Sequence, residues 1–573
     1  MAGPFRFVPF KDKIPHGRSR GAFAGLPAVF FVFFGLFCVP FLGAEYFYPD
    51  GEEIKTIDHI CRRMGKVLPF SAFPVHGSDI LAFAEKLASD PAVSLLNFAD
   101  TAMLDNLVSR LEKQRDTQDI LLKGNLDIAY EQRFTTNSFT IDDTSKMANA
   151  EDFRRAFLDF SPVLSFGAAG GTFTGPWVAA RVDIRPAWTN DFSPSSNFFK
   201  EVDITYDILK RGVFAWNGTY VNFFAGRDIT HWGNPHGSSL YASKLLPYID
   251  SIRLNVPLGP FSFDYMLGTT VPKKAQYHDV YYDDTANAYQ DYFGFLNDPR
   301  PSTILIAAHR FQWNFGHLKA GIGGTVVYVR ANNAFHITDI LPIMIYHNAD
   351  VAPNNLNMVL DLSWTIFSGF NISATLGFDD ISARTFGIPD GDIPTIPGAI
   401  LQADYSAATE SAFMDFHLES GYTHYLWGNF HFDDPPFTQP EARLARAVYR
   451  YGPNHYAVLL PLTSPYGPGV VWGKLNANFF FPGRHIRAGT EFLLLTKKRD
   501  VNLVDTEYSI NDPTRHSPRI WYGSFQVPLS YTWKNLEFSA SPGILFGSSD
   551  FAIECTLGLR YTLDGRTWMK GPY

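Results

Sequence analysis

The sequence predicts an all-β transmembrane β-barrel of about 18 antiparallel strands with a small N-terminal helical bundle, and three observations carry that prediction. The 573-residue chain holds 52 Phe, 27 Tyr and 11 Trp, yet only 18% of it is charged. Although 46% of the residues are apolar, mean hydropathy is only −0.08, and residues 26 to 44 form the one long apolar run. This apolar content excludes a disordered chain, and the average hydropathy argues against a polytopic helical membrane protein. From about residue 125 onward, apolar side chains recur every second residue instead of at helical spacing. A transmembrane barrel hides its apolarity in such alternation, one side chain to lipid and the next to the lumen.

The elements follow in order. Residues 1–44 are predicted to be a secretory signal: a basic stretch from Lys11 to Arg20, an apolar run from Leu26 to Leu42, and the small pair Gly43-Ala44 before Glu45. Residues 45–124 are predicted to form a helical bundle. Ile54, Ile57, Cys61 and Met64 recur at helical spacing, as do Ile80, Phe83, Ala84 and Leu87, and Leu104, Leu107, Val108 and Leu111. Ser78-Asp79 and Asp100-Thr101 are the expected N-caps of the second and third helices. Three short helices bury little core by themselves, so the bundle is expected to rest on something larger.

Residues 125–573 are predicted to be the outer-membrane barrel. In the clearest strand, Phe551, Ile553, Cys555, Leu557, Leu559, Tyr561 and Leu563 alternate with small or polar residues. Met358 to Ile366, Phe370 to Phe378, Phe261 to Leu267 and Phe525 to Tyr531 repeat the pattern, separated by stretches such as Gly387 to Pro394 and Asp433 to Pro436. A soluble sandwich also alternates. Two features favour lipid: aromatics at strand ends (Trp364, Phe378, Tyr531, Tyr561) and apolar faces longer than the roughly 5–6 residues of a mean soluble strand. Spending the segment at roughly 22–28 residues per strand and loop gives about 16–20 strands, with even numbers usual. Closure is then obligatory, because each backbone amide left unpaired in hydrocarbon costs several kcal/mol. Asp564-Gly565 reads as a possible hairpin turn, which would end the last strand early.

Net charge is −9. The leader is basic and the body correspondingly acidic, which argues against a nucleic-acid binder. Cys38 lies in the leader, while Cys61 and Cys555 fall on a helix and on a lipid-facing strand position, so no structural disulfide is expected. Catalytic motifs are missing. Gly17 to Gly21 matches a nucleophile elbow only inside the basic leader, with no strand before it. Gly469 to Lys474 lacks both the first Gly and the Ser or Thr of a phosphate loop. The acids Asp279, Asp283, Asp284, Asp291 and Asp298 among tyrosines read as a solvated loop, with cation or sugar binding as the alternative. Paired acids for a glycosidase lack any known separation. The expectation is a non-enzymatic protein without cofactor or metal.

One segment is more specific. Residues 221 to 254 run from a strand closing in Gly226-Arg227, through His231-Trp232-Gly233-Asn-Pro-His236-Gly237-Ser238-Ser-Leu240, to Pro247 and a new strand. This resembles the capsule-assembly outer-membrane proteins of the Wzi family, in which a strand ending in Gly-Arg meets a Trp-Gly loop, a Gly-Ser-Leu stretch and a Pro before the next strand. Ala308-His309-Arg310-Phe311 and the strand from Leu318 to Tyr328 look like that family's next element. The resemblance implies an 18-stranded barrel in the bacterial outer membrane with a helical bundle at its periplasmic mouth. It also implies a surface lectin that retains capsular polysaccharide. The positions it singles out are Gly226, Arg227, Trp232, Gly233, Gly237 and Ser238, with His309 and Arg310 beside them, as glycan contacts or as structural contacts of the lumen. Expected partners are outer-membrane lipid, surface polysaccharide and the barrel-assembly machinery, with the chain monomeric and nucleic acid excluded. A diffusion channel for small solutes is the competing function.

Overall fold

The computed structural model describes residues 46–116, 120–135, 163–171, 176–188, 202–218, 220–244, 246, 248–269, 302–331, 339, 354–382, 394–428, 431–432, 448–451, 458–464, 466–499, 501, 507–508, 516–548 and 551–569. The predicted leader, the acid and tyrosine cluster at 277–298 and the stretch 433–436 lie outside these residues, as does most of 387–394.

Among the described residues, 18 antiparallel strands close into one barrel. They are β1 Ile120–Thr135, β2 Val163–Gly171, β3 Pro176–Trp188, β4 Val202–Asn217, β5 Asn222–Asp228 and β6 Ile249–Leu258. Next come β7 Phe261–Thr269, β8 Ser302–Asn314, β9 Leu318–Ala331, β10 Asn354–Phe367, β11 Phe370–Asp380 and β12 Ile396–Ala408. The last are β13 Phe413–Thr423, β14 Val470–Phe481, β15 Ile486–Lys498, β16 Arg519–Trp533, β17 Leu536–Gly547 and β18 Phe551–Met569. β16 is interrupted at Val527-Pro528, where the Pro has no amide to donate, and both its halves pair with β15 and β17.

Neighbouring strands pair in sequence order, and β18 closes the ring on β1 from Glu554↔Thr135 to Met569↔Ile120. Asp564 and Gly565 therefore do not turn. They sit mid-strand opposite Asn125 and Gly124, because the closing partner extends that far and supplies hydrogen bonds that a hairpin would forfeit.

The alternation is resolved as predicted. Met358, Leu360, Leu362, Trp364 and Ile366 of β10 are all exposed on the outer face, as are Phe551, Ile553, Leu557, Leu559 and Leu563 of β18. Such an apolar belt needs hydrocarbon around it, and no described helix is long and apolar enough to cross a membrane. Cys61 is buried and Cys555 half-buried, both as free thiols.

One mouth of the barrel carries short turns such as Gly259-Pro260, Ser368-Gly369 and Lys534-Asn535, whereas connections at the other, such as 229–248 and 424–469, are long. Three helices, α1 Glu52–Arg63, α2 Gly77–Ala88 and α3 Phe98–Asp116, occupy the short-turn mouth. Their predicted apolar faces form one core with Ile54, Ile57, Cys61, Met64, Ile80, Ala84, Leu87, Leu104, Leu107 and Leu111 buried. The caps differ from expectation. α2 is capped two residues earlier by His76, whose ring nitrogen accepts from the Ser78 amide. α3 begins at Asn97, which accepts from the Asp100 amide at 2.8 Å while Asp100 accepts from the Asn97 amide at 3.3 Å, a reciprocal box.

Bundle and barrel are joined in part through backbone carbonyls left over at the ends of the N-terminal elements. Lys319 of β9 donates to the Leu68 carbonyl at 2.9 Å, Gln312 of β8 to that of Pro69, and the Gly369 amide to that of Arg62 at 2.6 Å. Buried carbonyls need such donors, so the bundle is fastened to the barrel wall and does not merely rest upon it.

Candidate functional site

The connection between β5 and β6 turns into the barrel. His231-Trp232 pairs as a short strand with Ala72-Phe73, and the Trp232 amide donates to the Ala242 carbonyl at 3.1 Å. Trp232, Leu240, Tyr241 and Leu246 are buried against inward side chains of the wall, including Ile306, Val359 and Ile400, and against Trp427 and Trp472. This part of the lumen is thus an apolar core. It explains the runs that break strict alternation, such as Leu305-Ile-Ala-Ala308: Ile306 and Ala308 meet the inturned segment, while Leu305 and Ala307 are buried in a separate cluster with Tyr265, Leu267, Val326 and Tyr328.

The segment is latched by Glu419 of β13. This nearly inaccessible carboxylate accepts four hydrogen bonds: from the Ser238 amide at 2.7 Å, the Ser238 hydroxyl at 2.6 Å, Gln402 Nε2 at 2.9 Å and Trp472 Nε1 at 2.8 Å. A charged acceptor with all its neighbours donating is among the strongest devices for fixing a buried loop. Any side chain at Gly237 would collide with Gln402 and Glu419, so the chain can pass only as glycine there.

Beneath the latch, α1 supplies a charged layer. Arg62 bonds Asp58 at 2.8 Å, Asp415 at 3.3 Å and Ser406 at 2.7 Å, and stands 3.7 Å from Asp404. His59 lies between Asp100 and Asp415, at 3.2 and 3.1 Å. His236 of the inturned segment reaches Asp58 at 2.7 Å, and Asn234 reaches Asp404 at 3.3 Å. Burial alone would raise the Asp58 pKa, but Arg62 and His236 outweigh it and hold it below the ordinary range. Burial would likewise lower His59, yet bonds to Asp100 and Asp415 raise it. His231 behaves oppositely. Burial, helped by Lys244, lowers it to about 4, and its ring donates to the Asn234 carbonyl at 2.6 Å while accepting from the Lys244 amide.

A cavity of about 1230 Å³ opens between the bundle and β12 to β17, lined by His59, Asp415, His417, Lys474, Asn476 and Glu491 among others. Among its lining residues, His417 Nε2, 3.8 Å from a Glu419 carboxylate oxygen, and Asn476 Oδ1 are buried without a hydrogen-bond partner. Among the described residues no group of three or more His, Cys, Asp or Glu is arranged to hold a metal.

The residues singled out by sequence do not form one site. Trp232, Gly233, Gly237, Ser238 and Arg310 are brought together inside the barrel. Gly233 has φ +124° and its amide donates to the Ser71 carbonyl at 2.7 Å. Arg310, fully buried, bonds Asp361 at 2.6 and 3.1 Å. Gly226, at φ +135°, lies against Gly212 of β4, where a Cβ would strike the neighbouring backbone. Arg227 and His309 fall on the opposite parity of their strands. Arg227 forms a two-pronged pair with Asp250 at 2.6 and 2.8 Å and lies over the Tyr248 ring, and His309 packs edge-on against Phe311.

Sequence reasoning missed Glu419, Asp404, Asp58, Arg62, Trp427 and Trp472. One sign of the first was present: Asp415, His417 and Glu419 alternate along β13 on the face that the pattern assigns to the lumen, three titratable groups at inward positions.

No protein-family model and no curated protein matches the sequence. Among solved structures, the chain is similar to Wzi of Escherichia coli, described as an outer-membrane protein involved in group 1 capsule assembly and a carbohydrate-binding β-barrel. The TM-score is 0.53 at 11% identity, covering 91% of this chain and 99% of that one. Lower likenesses include OprD of Pseudomonas aeruginosa, with TM-score 0.40, 11% identity and 79% and 98% of the two chains covered. OccAB1 of Acinetobacter baumannii follows with TM-score 0.40, 10% identity and 79% and 99% covered. With the closed ring and its apolar belt, the fold is that of a bacterial outer-membrane β-barrel.

Proposed function

We propose that this chain is a non-enzymatic outer-membrane protein that binds or organises surface polysaccharide, with its helical bundle at the periplasmic mouth and residues 1–44 as its secretory signal. The observation that carries this reading is the inturned segment 229–248, which is latched by Glu419 and packed into an apolar core. A lumen filled in this way serves a scaffold that presents loops outside the membrane better than a wide pore. The likeness to the carbohydrate-binding Wzi barrel, over nearly the whole of both chains, supports it. On this reading Trp232, Gly233, Gly237 and Ser238 hold the barrel's interior, and sugar is met by the long connections at the far mouth. The short-turn mouth faces the periplasm because outer-membrane barrels keep their short turns there and their longer loops outside.

A diffusion channel is the second reading, and the cavity of about 1230 Å³ beside the bundle favours it. Planar-bilayer recording with the full chain, alongside binding to purified capsular polysaccharide, decides between them. Polysaccharide binding by a protein that opens no steady conductance is the expected result. Steady ohmic conductance without polysaccharide binding would make the chain a channel.

A further inference from the structure

A second cavity, of about 330 Å³, lies at the short-turn mouth between the segment 69–83 and the inner faces of β5 to β8. It is at the small end of ligand pockets, which run roughly 300–1,000 Å³. Aromatic side chains, Tyr46, Phe70, Phe73 and Phe83 among them, make up part of its walls. Set into those walls are three buried polar atoms without partners: Ser71 Oγ, His76 Nε2 and Asn222 Oδ1. His76 is 2% exposed, and its other nitrogen already accepts from the Ser78 amide, so Nε2 carries the ring's hydrogen with nothing to receive it. Orphaned buried polar atoms are rare in folded proteins, and three in one cavity point to an absent polar partner.

The charges say what kind of partner. Asp79 of α2 accepts one hydrogen bond, from Asn222 Nδ2 at 2.9 Å, and forms no ion pair. Asn222 also bonds Asn255 at 3.0 Å, and Asn255 bonds Asp264 at 2.7 Å, so a second carboxylate stands behind the first. Of the cations lining the cavity, Arg253 is already engaged by Ser251 and by the carbonyls of Phe73, Asp228 and Ile229, with its guanidinium over the Phe224 ring. Lys86 lines the rim and points to solvent.

We propose that this cavity binds a small organic cation bearing a primary ammonium group, with Asp79 as its counter-ion. An ammonium presents three donors, matching the free oxygen of Asp79, Asn222 Oδ1 and Ser71 Oγ. Its apolar body lies against aromatic faces, which attract cations in their own right. His76 Nε2–H remains to donate to a hydroxyl on the same ligand, which makes amino alcohols favoured members of the class. A metal ion is disfavoured by the sparse ligand set, and a neutral ligand offers the ionised form of Asp79 no counter-charge. Burial, with Asp264 adding to it, raises the Asp79 pKa to about 7, as befits a carboxylate waiting for a cation.

The test is calorimetric titration of the full chain in detergent with benzylammonium, with benzyl alcohol as its neutral isostere and with methyl β-glucoside. The expected result is one saturable site for benzylammonium, at least tenfold weaker binding of the alcohol, and at least tenfold loss in Asp79→Asn while that variant keeps its heat-modifiable migration. Equal affinity for the alcohol, preference for the glucoside, no saturable amine binding, or undiminished binding by a folded Asp79→Asn would each overturn the assignment. The comparison of amine with alcohol needs no variant and stands even if the substitution disturbs folding.

Discussion

At the scale of single residues, Glu419 stands out because four donors converge on one carboxylate. Glu419→Gln keeps the shape but turns an amide donor toward donors, and is expected to cost roughly 3 kcal/mol in unfolding experiments, since bonds to charged groups contribute about 1.5–3 kcal/mol each. A loss under about 1 kcal/mol would mean the latch is not what holds the segment. On the outer face, Leu557→Arg places a charge in hydrocarbon and is expected to cost about 2–4 kcal/mol, with Thr556→Arg on the inner face costing less. Equal losses would contradict the assigned faces. Asp79 provides a pH test. Its carboxyl is raised from 3.8 to about 7, so the folded state binds the proton more tightly and stability declines as pH rises through that interval. Asp79 shares its cavity with Asp264, His76, Arg253, Lys86 and Tyr46. Asp79→Asn, which cannot ionise, is expected to melt higher relative to the unaltered chain at pH 8 than at pH 5; the opposite order would count against the assigned proton.

Among the elements, the inturned segment 229–248 carries a buried His whose protonation opposes folding. His231 is lowered to about 4 from 6.5, so the folded state holds it neutral, and stability is lost as pH falls from about 6.5 toward 4. Tryptophan fluorescence against pH, with the part lost in Trp232→Phe assigned to the buried Trp232, is expected to report loosening in that window, and His231→Gln, which can still donate to the Asn234 carbonyl, is expected to flatten the response. An identical profile in the variant would assign the change to other groups. The strands show what local text does and does not carry. β10 and β18 were legible because lipid on one side and lumen on the other impose period 2. The run at Leu305 to Ala308 was not, because both faces of that strand are covered by protein. The capping of α2 by His76 was equally hidden, since only the fold brings that ring over the helix end.

For the molecule as a whole, the three helices are fastened into one mouth, and their removal tests whether they block it. Deleting residues 52–116 is expected to leave a heat-modifiable barrel with raised single-channel conductance in planar bilayers; an unchanged trace would remove the helices from any plugging role. The barrel itself should survive because its closing contact, β18 with β1, involves no helix.

What the sequence determined by itself is the closed barrel, its approximate strand number and the separate helical start. These follow from the periodicity of apolar side chains, a property each segment expresses in isolation as it meets oil or water. The tertiary structure alone decided that residues 229–248 turn inward, that Glu419 meets Ser238 and that Asp79 is left without a cation. Those facts depend on distances between residues 143 to 181 positions apart, which no local pattern of apolar and polar side chains encodes.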